Sequence, residues 1–226
     1  MIYKNLLFFI LLLSISPLSL AHGVDENTAQ FLSDNNQTAI GAFIYIGAKH
    51  MLTGYDHLLF LVGVIFFLYR IRDILLYVSF FTLGHSITLI FGVISHIQLN
   101  AYLIDAIIAF SIIYKGFDNL GGFKIIFNAQ PNQKIAVLIF GLFHGFGLAT
   151  KLQELLPPSE SLLFNLIAFN IGVEIGQALA LLFIVTLFSF WRQSHSFNHF
   201  TVTANTLLMS SGWVLLMYQL TGYAIS

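Results

Sequence analysis

The amino-acid sequence predicts an all-α polytopic transmembrane bundle, and three observations carry that expectation. Of its 226 residues, 58% are hydrophobic and only 8% are charged, against about 25% charged in a water-soluble domain. Mean hydropathy is +0.86. No Asp, Glu, Lys or Arg occurs from Ile74 to Ile104, a stretch longer than the roughly 20 apolar residues that a spanning helix requires. The same counts exclude other classes. Nine basic residues against ten acidic ones leave no basic field for nucleic acid. The absence of cysteine excludes disulfides, zinc fingers, iron–sulfur clusters and thiol catalysis.

Residues 1–21 have the layout of a signal peptide: Lys4 as a positive start, an apolar run from Leu6 to Ile15, and a small-x-small site at Ser19-Leu20-Ala21. A polar, acidic lead-in at 22–37 follows, and 38–226 reads as one transmembrane domain. Apolar stretches predict six spans, at about 39–69, 74–95, 101–117, 135–151, 160–190 and 199–223. The first is broken near Gly54, because the 14 residues from Asp56 to Tyr69 rise only about 21 Å before Arg70 and Arg72. Charge sets the expected orientation. With both termini of the mature chain external, Arg70, Arg72, Lys115, Lys124, Lys134 and Arg192 fall on the cytoplasmic side, and only Lys49 and Lys151 outside. The segment from Asp118 to Lys134 is expected to be the one sizeable loop.

Against this background the ionisable residues stand out. His50, Asp56, His57, His85, Asp105, His144 and Glu174 fall inside or at the rim of the apolar spans. Three acids left charged and unpaired at mid-membrane would cost about 8–10 kcal/mol on insertion scales, so pairing, protonation, hydration or a bound cation is required. Laid on the six-span topology, these residues from helices of both directions come to similar depth in the external half, which points to one shared site.

Each motif also has a plainer reading. In HMLTGYDHLLF (50–60), Gly54 can end one helix while Asp56 caps the next, although a cap does not account for the histidines. In FTLGHSITL (81–89), His85 can serve as an interhelical hydrogen-bond partner. In FGLFHGFGLA (140–149), Gly141 and Gly145 suit close helix packing. In FNIGVEIGQ (169–177), Asn170, Glu174 and Gln177 fall at i, i+4 and i+7, a polar stripe on an apolar helix. Together, four imidazoles and up to three carboxylates without sulfur suit nickel, cobalt, zinc or copper, and the donor list does not choose among them. Ser86, Asn170 and Gln177 are expected to orient the ligands from behind.

Taken in order, these motifs, together with DAIIAFSIIY (105–114), resemble the HupE/UreJ family of bacterial membrane proteins over about residues 45–180. Where that family usually carries Glu, this chain has Asp105. The resemblance implies a nickel- or cobalt-type permease or accessory protein of the bacterial inner membrane, linked to hydrogenase or urease maturation. A different class remains open from the residues: a membrane-embedded zinc hydrolase acting on a lipid amide or ester, built from three histidines, a carboxylate and an open coordination position. A sensor or purely structural bundle is a third.

Overall fold

A computed structural model describes residues 40–155 and 161–226. The expected signal peptide at 1–21 and lead-in at 22–37 lie outside the described residues. Every element described is helical: α1 (Ile40–Thr53), α2 (Tyr55–Ile65), α3 (Ile71–Ile94), α4 (Ala101–Asn119), α5 (Gly122–Phe127), α6 (Gln133–Leu155), α7 (Leu162–Gln193) and α8 (Ser196–Ile225). Four of them, α3, α6, α7 and α8, are long and apolar enough to cross a membrane. Large apolar side chains such as Leu182, Phe183 and Phe190 face outward, as lipid-facing surfaces do. The stretch expected to be a loop between Asp118 and Lys134 contains the short helix α5.

The first apolar stretch divides where Gly54 stands. Gly54 is the N-cap of α2, with an extended backbone (φ −72°, ψ 103°). The break costs little hydrogen bonding, because the Gly54 N–H donates to the His50 carbonyl (3.0 Å) and the Leu58 N–H to the Gly54 carbonyl (3.1 Å). What changes is direction, so α1 and α2 are two half-helices of 14 and 11 residues, neither alone able to traverse a hydrocarbon core of about 30 Å.

Three helix pairs dominate the packing: α1 with α7, α3 with α6, and α4 with α8. Small residues bring each pair together, as expected where lipid is as apolar as the side chains and close van der Waals contact must hold helices in place. On α1 and α7, a Cβ added to Gly47 would strike the Phe169 carbonyl, and one added to Gly172 would strike that of Ile44. On α3 and α6, Gly84 faces the Leu138 carbonyl and Gly145 the His85 carbonyl. These two pairs run parallel; α4 and α8 are antiparallel, with Gly116 against Met209 and Gly222 against Tyr102. We call upper the end at which α3 finishes and α4 begins.

The lower end is tied by polar side chains. The Arg192 guanidinium donates to the carbonyls of Ile65 (2.6 Å) and Phe66 (2.9 Å), satisfying the end of α2 where its own ladder runs out. Lys115 pairs with Asp118 at 2.7 Å, both buried, and Gln133 donates to the same carboxylate. Asn119 donates to the Gly63 carbonyl and to Asn205 Oδ1, each at 2.9 Å. The half-helix α2 is thereby anchored below, while its upper end stays beside the break.

Gly145→Val is expected to lower the melting temperature of the detergent-solubilised protein, because the new side chain would overlap the His85 carbonyl and the Thr88 hydroxyl; overpacking of this kind costs about 1–3 kcal/mol. Gly41→Ala, with nothing within 4 Å of the added Cβ, is expected to leave it unchanged. Thermal unfolding of the two variants checks the contrast.

Candidate metal centre

The upper end of α2 carries the hub. His57 is buried, 2% exposed, and its Nδ1 donates to Asp56 Oδ1 at 3.1 Å. This close fold-back needs the missing side chain at Gly54, where a Cβ would stand 2.7 Å from His57 Nδ1. A carboxylate accepting from Nδ1–H leaves the lone pair on Nε2, the arrangement that presents an imidazole to a metal. Three further imidazoles surround this ring: His50 from α1 at 5.0 Å between centroids, His144 from α6 at 4.8 Å, and His85 from α3 at 6.1 Å.

Their donor atoms form two overlapping groups that share His57. One atom each from His50, His57 and His85 lie within 4.8 Å of one another, and so do atoms from Asp56, His57 and His144. Two nitrogens bound about 2.1 Å from one ion stand at most about 4.2 Å apart, close to the spacing within either group. His85 is fully buried, and neither of its ring nitrogens has a hydrogen-bond partner among the described residues. Thr88 does not serve it; its hydroxyl donates instead to the Leu142 and Gly84 carbonyls. Phe81 and Phe60 wall the cluster, with Phe81 at 4.9 Å from the His144 ring and Phe60 at 5.8 Å.

Five of the seven expected ligands therefore meet: His50, Asp56, His57, His85 and His144. Asp105 lies nearer the upper end of α4, buried, and pairs with Lys151 Nζ at 2.8 Å; with Tyr55, Asp56 and Gln219 it lines a cavity that opens beside the cluster. Glu174 is exposed on α7 and enters neither group, because the α7 face packed on α1 is the one that carries Gly172 and Gly176. Of the expected supporting residues, Gln177 is buried, accepts from the Thr82 hydroxyl, and lines with His57 a second cavity extending down to Tyr77 and Val137. Asn170 is buried; its amide donates to the Leu166 carbonyl, and its Oδ1 has no partner among the described residues. Ser86 is half-buried, turned from His85 by about 100° along the helix. The aromatic walls and the partner of Asp105 were not anticipated: nothing local distinguishes Phe60 and Phe81 among 24 phenylalanines, and Lys151 meets Asp105 across 46 residues.

The geometry defines a helical membrane-type bundle with a buried imidazole–carboxylate pocket at a helix break. The family model described as HupE / UreJ protein matches residues 26–226, and the chain belongs to the HupE/UreJ family, whose members are membrane proteins related to nickel and cobalt transport. No curated protein matches the chain. No solved structure matches it either.

An unpaired buried polar group costs about 1–3 kcal/mol, so His85 weakens the metal-free fold. His85→Leu is expected to raise the melting temperature of the metal-stripped protein while removing one donor from the pocket. Thermal scans in the presence and absence of a chelator check this, and a fall in the metal-free melting temperature would show that the imidazole serves packing.

Proposed function

We propose that this protein binds a divalent transition-metal ion of the nickel or cobalt type in the pocket of His50, Asp56, His57, His85 and His144 and carries it across the bacterial inner membrane. The observation that carries the reading is a pair of donor groups that share buried His57 and draw imidazoles from α1, α2, α3 and α6, with both ring nitrogens of His85 lacking a hydrogen-bond partner among the described residues. Neutral imidazole suits borderline divalent ions, and with no thiol in the chain the softest alternatives are disfavoured. In this reading α1 and α2 together make one crossing of six, the upper end faces the outside with both termini of the mature chain, and Asp105 receives the ion before the imidazoles do. Asp56 offsets part of the ionic charge and holds His57 in the binding tautomer. Exposed Glu174 takes no part in the proposed ligand set. The cavity from His57 past Gln177 to Tyr77 provides the start of an inward route, and the ion delivered inside would serve hydrogenase or urease maturation.

A helix break supports such a role because it re-aims side chains toward the site, as the broken helices of secondary transporters do. The test is uptake of nickel or cobalt into proteoliposomes, paired with equilibrium binding. His57→Ala is expected to abolish uptake and to weaken binding by more than the roughly 10–100-fold that loss of a merely supporting residue costs, because both donor groups share that ring. His50→Ala and His144→Ala each open one group and are expected to weaken binding less. Bound metal without flux, accompanied by turnover of a lipid amide or ester, would overturn transport in favour of the intramembrane hydrolase.

A further inference from the structure

We propose that Lys151 is a tethered competitor cation: its ammonium occupies Asp105 at the upper approach to the pocket, and an incoming divalent ion must displace it, so that Lys151 sets the charge selectivity of entry. The inference rests on the ion-binding reading above.

Lys151 stands on the last turns of α6, and its Nζ lies 2.8 Å from Asp105 Oδ2 on α4. The Asp105 side chain is 7% exposed and that of Lys151 17%. The pair thus sits where the pocket meets the surface, with the lysine on the wetter side. Asp105 shares a cavity with Asp56, and Asp56 touches His57 through the 3.1 Å bond. A cation entering this cavity meets both carboxylates, of which Asp56 adjoins the imidazoles. Carboxylate oxygen suits a still partly hydrated ion, and imidazole nitrogen a borderline ion that has shed its water, so the two donor types lie in the order that stepwise dehydration requires.

A charged carboxylate at this depth is costly without a counter-cation. Lys151 supplies one from within the chain, and its four-carbon stem lets the head swing upward toward the headgroups when it is displaced. A sodium or potassium ion carries the same single charge as the ammonium and lacks the advantage of a covalent tether, so it does not win the carboxylate. A divalent ion carries twice the charge and does. A helix clip between α4 and α6 would need the same contact but would be indifferent to ions in solution, which separates the two roles.

The test measures cobalt binding to the purified full chain in detergent, with potassium chloride or N-methylglucamine chloride at matched ionic strength, for wild type, Lys151→Met and Lys151→Arg. Wild type is expected to bind with the same affinity in both salts. Lys151→Met is expected to bind cobalt several-fold more tightly in N-methylglucamine and to lose that gain in potassium, which now competes at Asp105. Lys151→Arg, which keeps the tethered charge, is expected to restore the wild-type pattern. Where Lys151→Met does not fold, Lys151→Gln replaces it with the same expectation. Cobalt binding by Lys151→Met that matches wild type in both salts, with only the melting temperature reduced, would reduce the pair to a clip and overturn the proposal. Failure of the wild type to bind cobalt, nickel or zinc at all would instead overturn the binding reading on which it rests.

Discussion

Hydrocarbon offers no hydrogen bonds, so each polar group in this bundle has to be satisfied by the chain itself or by something the chain binds. At the lower end the chain supplies most of its own partners: Arg192 closes the carbonyls of α2, Lys115 meets Asp118, and Asn119 bridges α2 and α8. At the pocket it does not. His85 is buried with both nitrogens lacking partners among the described residues, beside a His57 whose orientation is fixed by Asp56. This contrast within one molecule supports the proposal that the cluster takes a ligand. Leaving both nitrogens of His85 without partners costs stability, a cost that an ion bound as proposed would offset.

Backbone geometry makes the pocket possible. Gly54 turns α2 away from α1 and leaves room for the His57 ring to fold back on Asp56. Gly145 brings α6 against the carbonyl of His85, so that His144, one residue earlier, is carried to the same depth as His85. Gly47 and Gly172 do the same for α1 and α7, placing His50 beside Phe169 and His57. The glycines and histidines of these motifs are thus one device: close approach of backbones brings the other imidazoles around His57.

Most of this was legible in the sequence because it depends on composition and local spacing. Apolar runs predict the helices, and a glycine two residues before Asp56 predicts the break. Ionisable residues in an apolar background announce themselves at His50, Asp56, His57, His85 and His144. What escaped was rotation about the helix axis and pairing at long range. Asn170, Glu174 and Gln177 share a stripe on paper, yet only Asn170 and Gln177 are buried, because the glycine face of α7 sets which side meets α1. Asp105 could be placed at the right depth from topology, but its pairing with Lys151 joins two helices and no local pattern announces it. The walls of the pocket are phenylalanines, and in so aromatic a chain position alone distinguishes them.

The central question is whether imidazoles from separate helices bind a single ion. X-ray absorption spectroscopy of the cobalt- or nickel-loaded protein addresses this directly. The expected spectrum shows nitrogen and oxygen scatterers at about 2.0–2.1 Å, with the outer-shell scattering of at least three imidazole rings, and loss of imidazole scattering in His57→Ala. A loaded protein whose metal shows only oxygen neighbours and no imidazole scattering would contradict it.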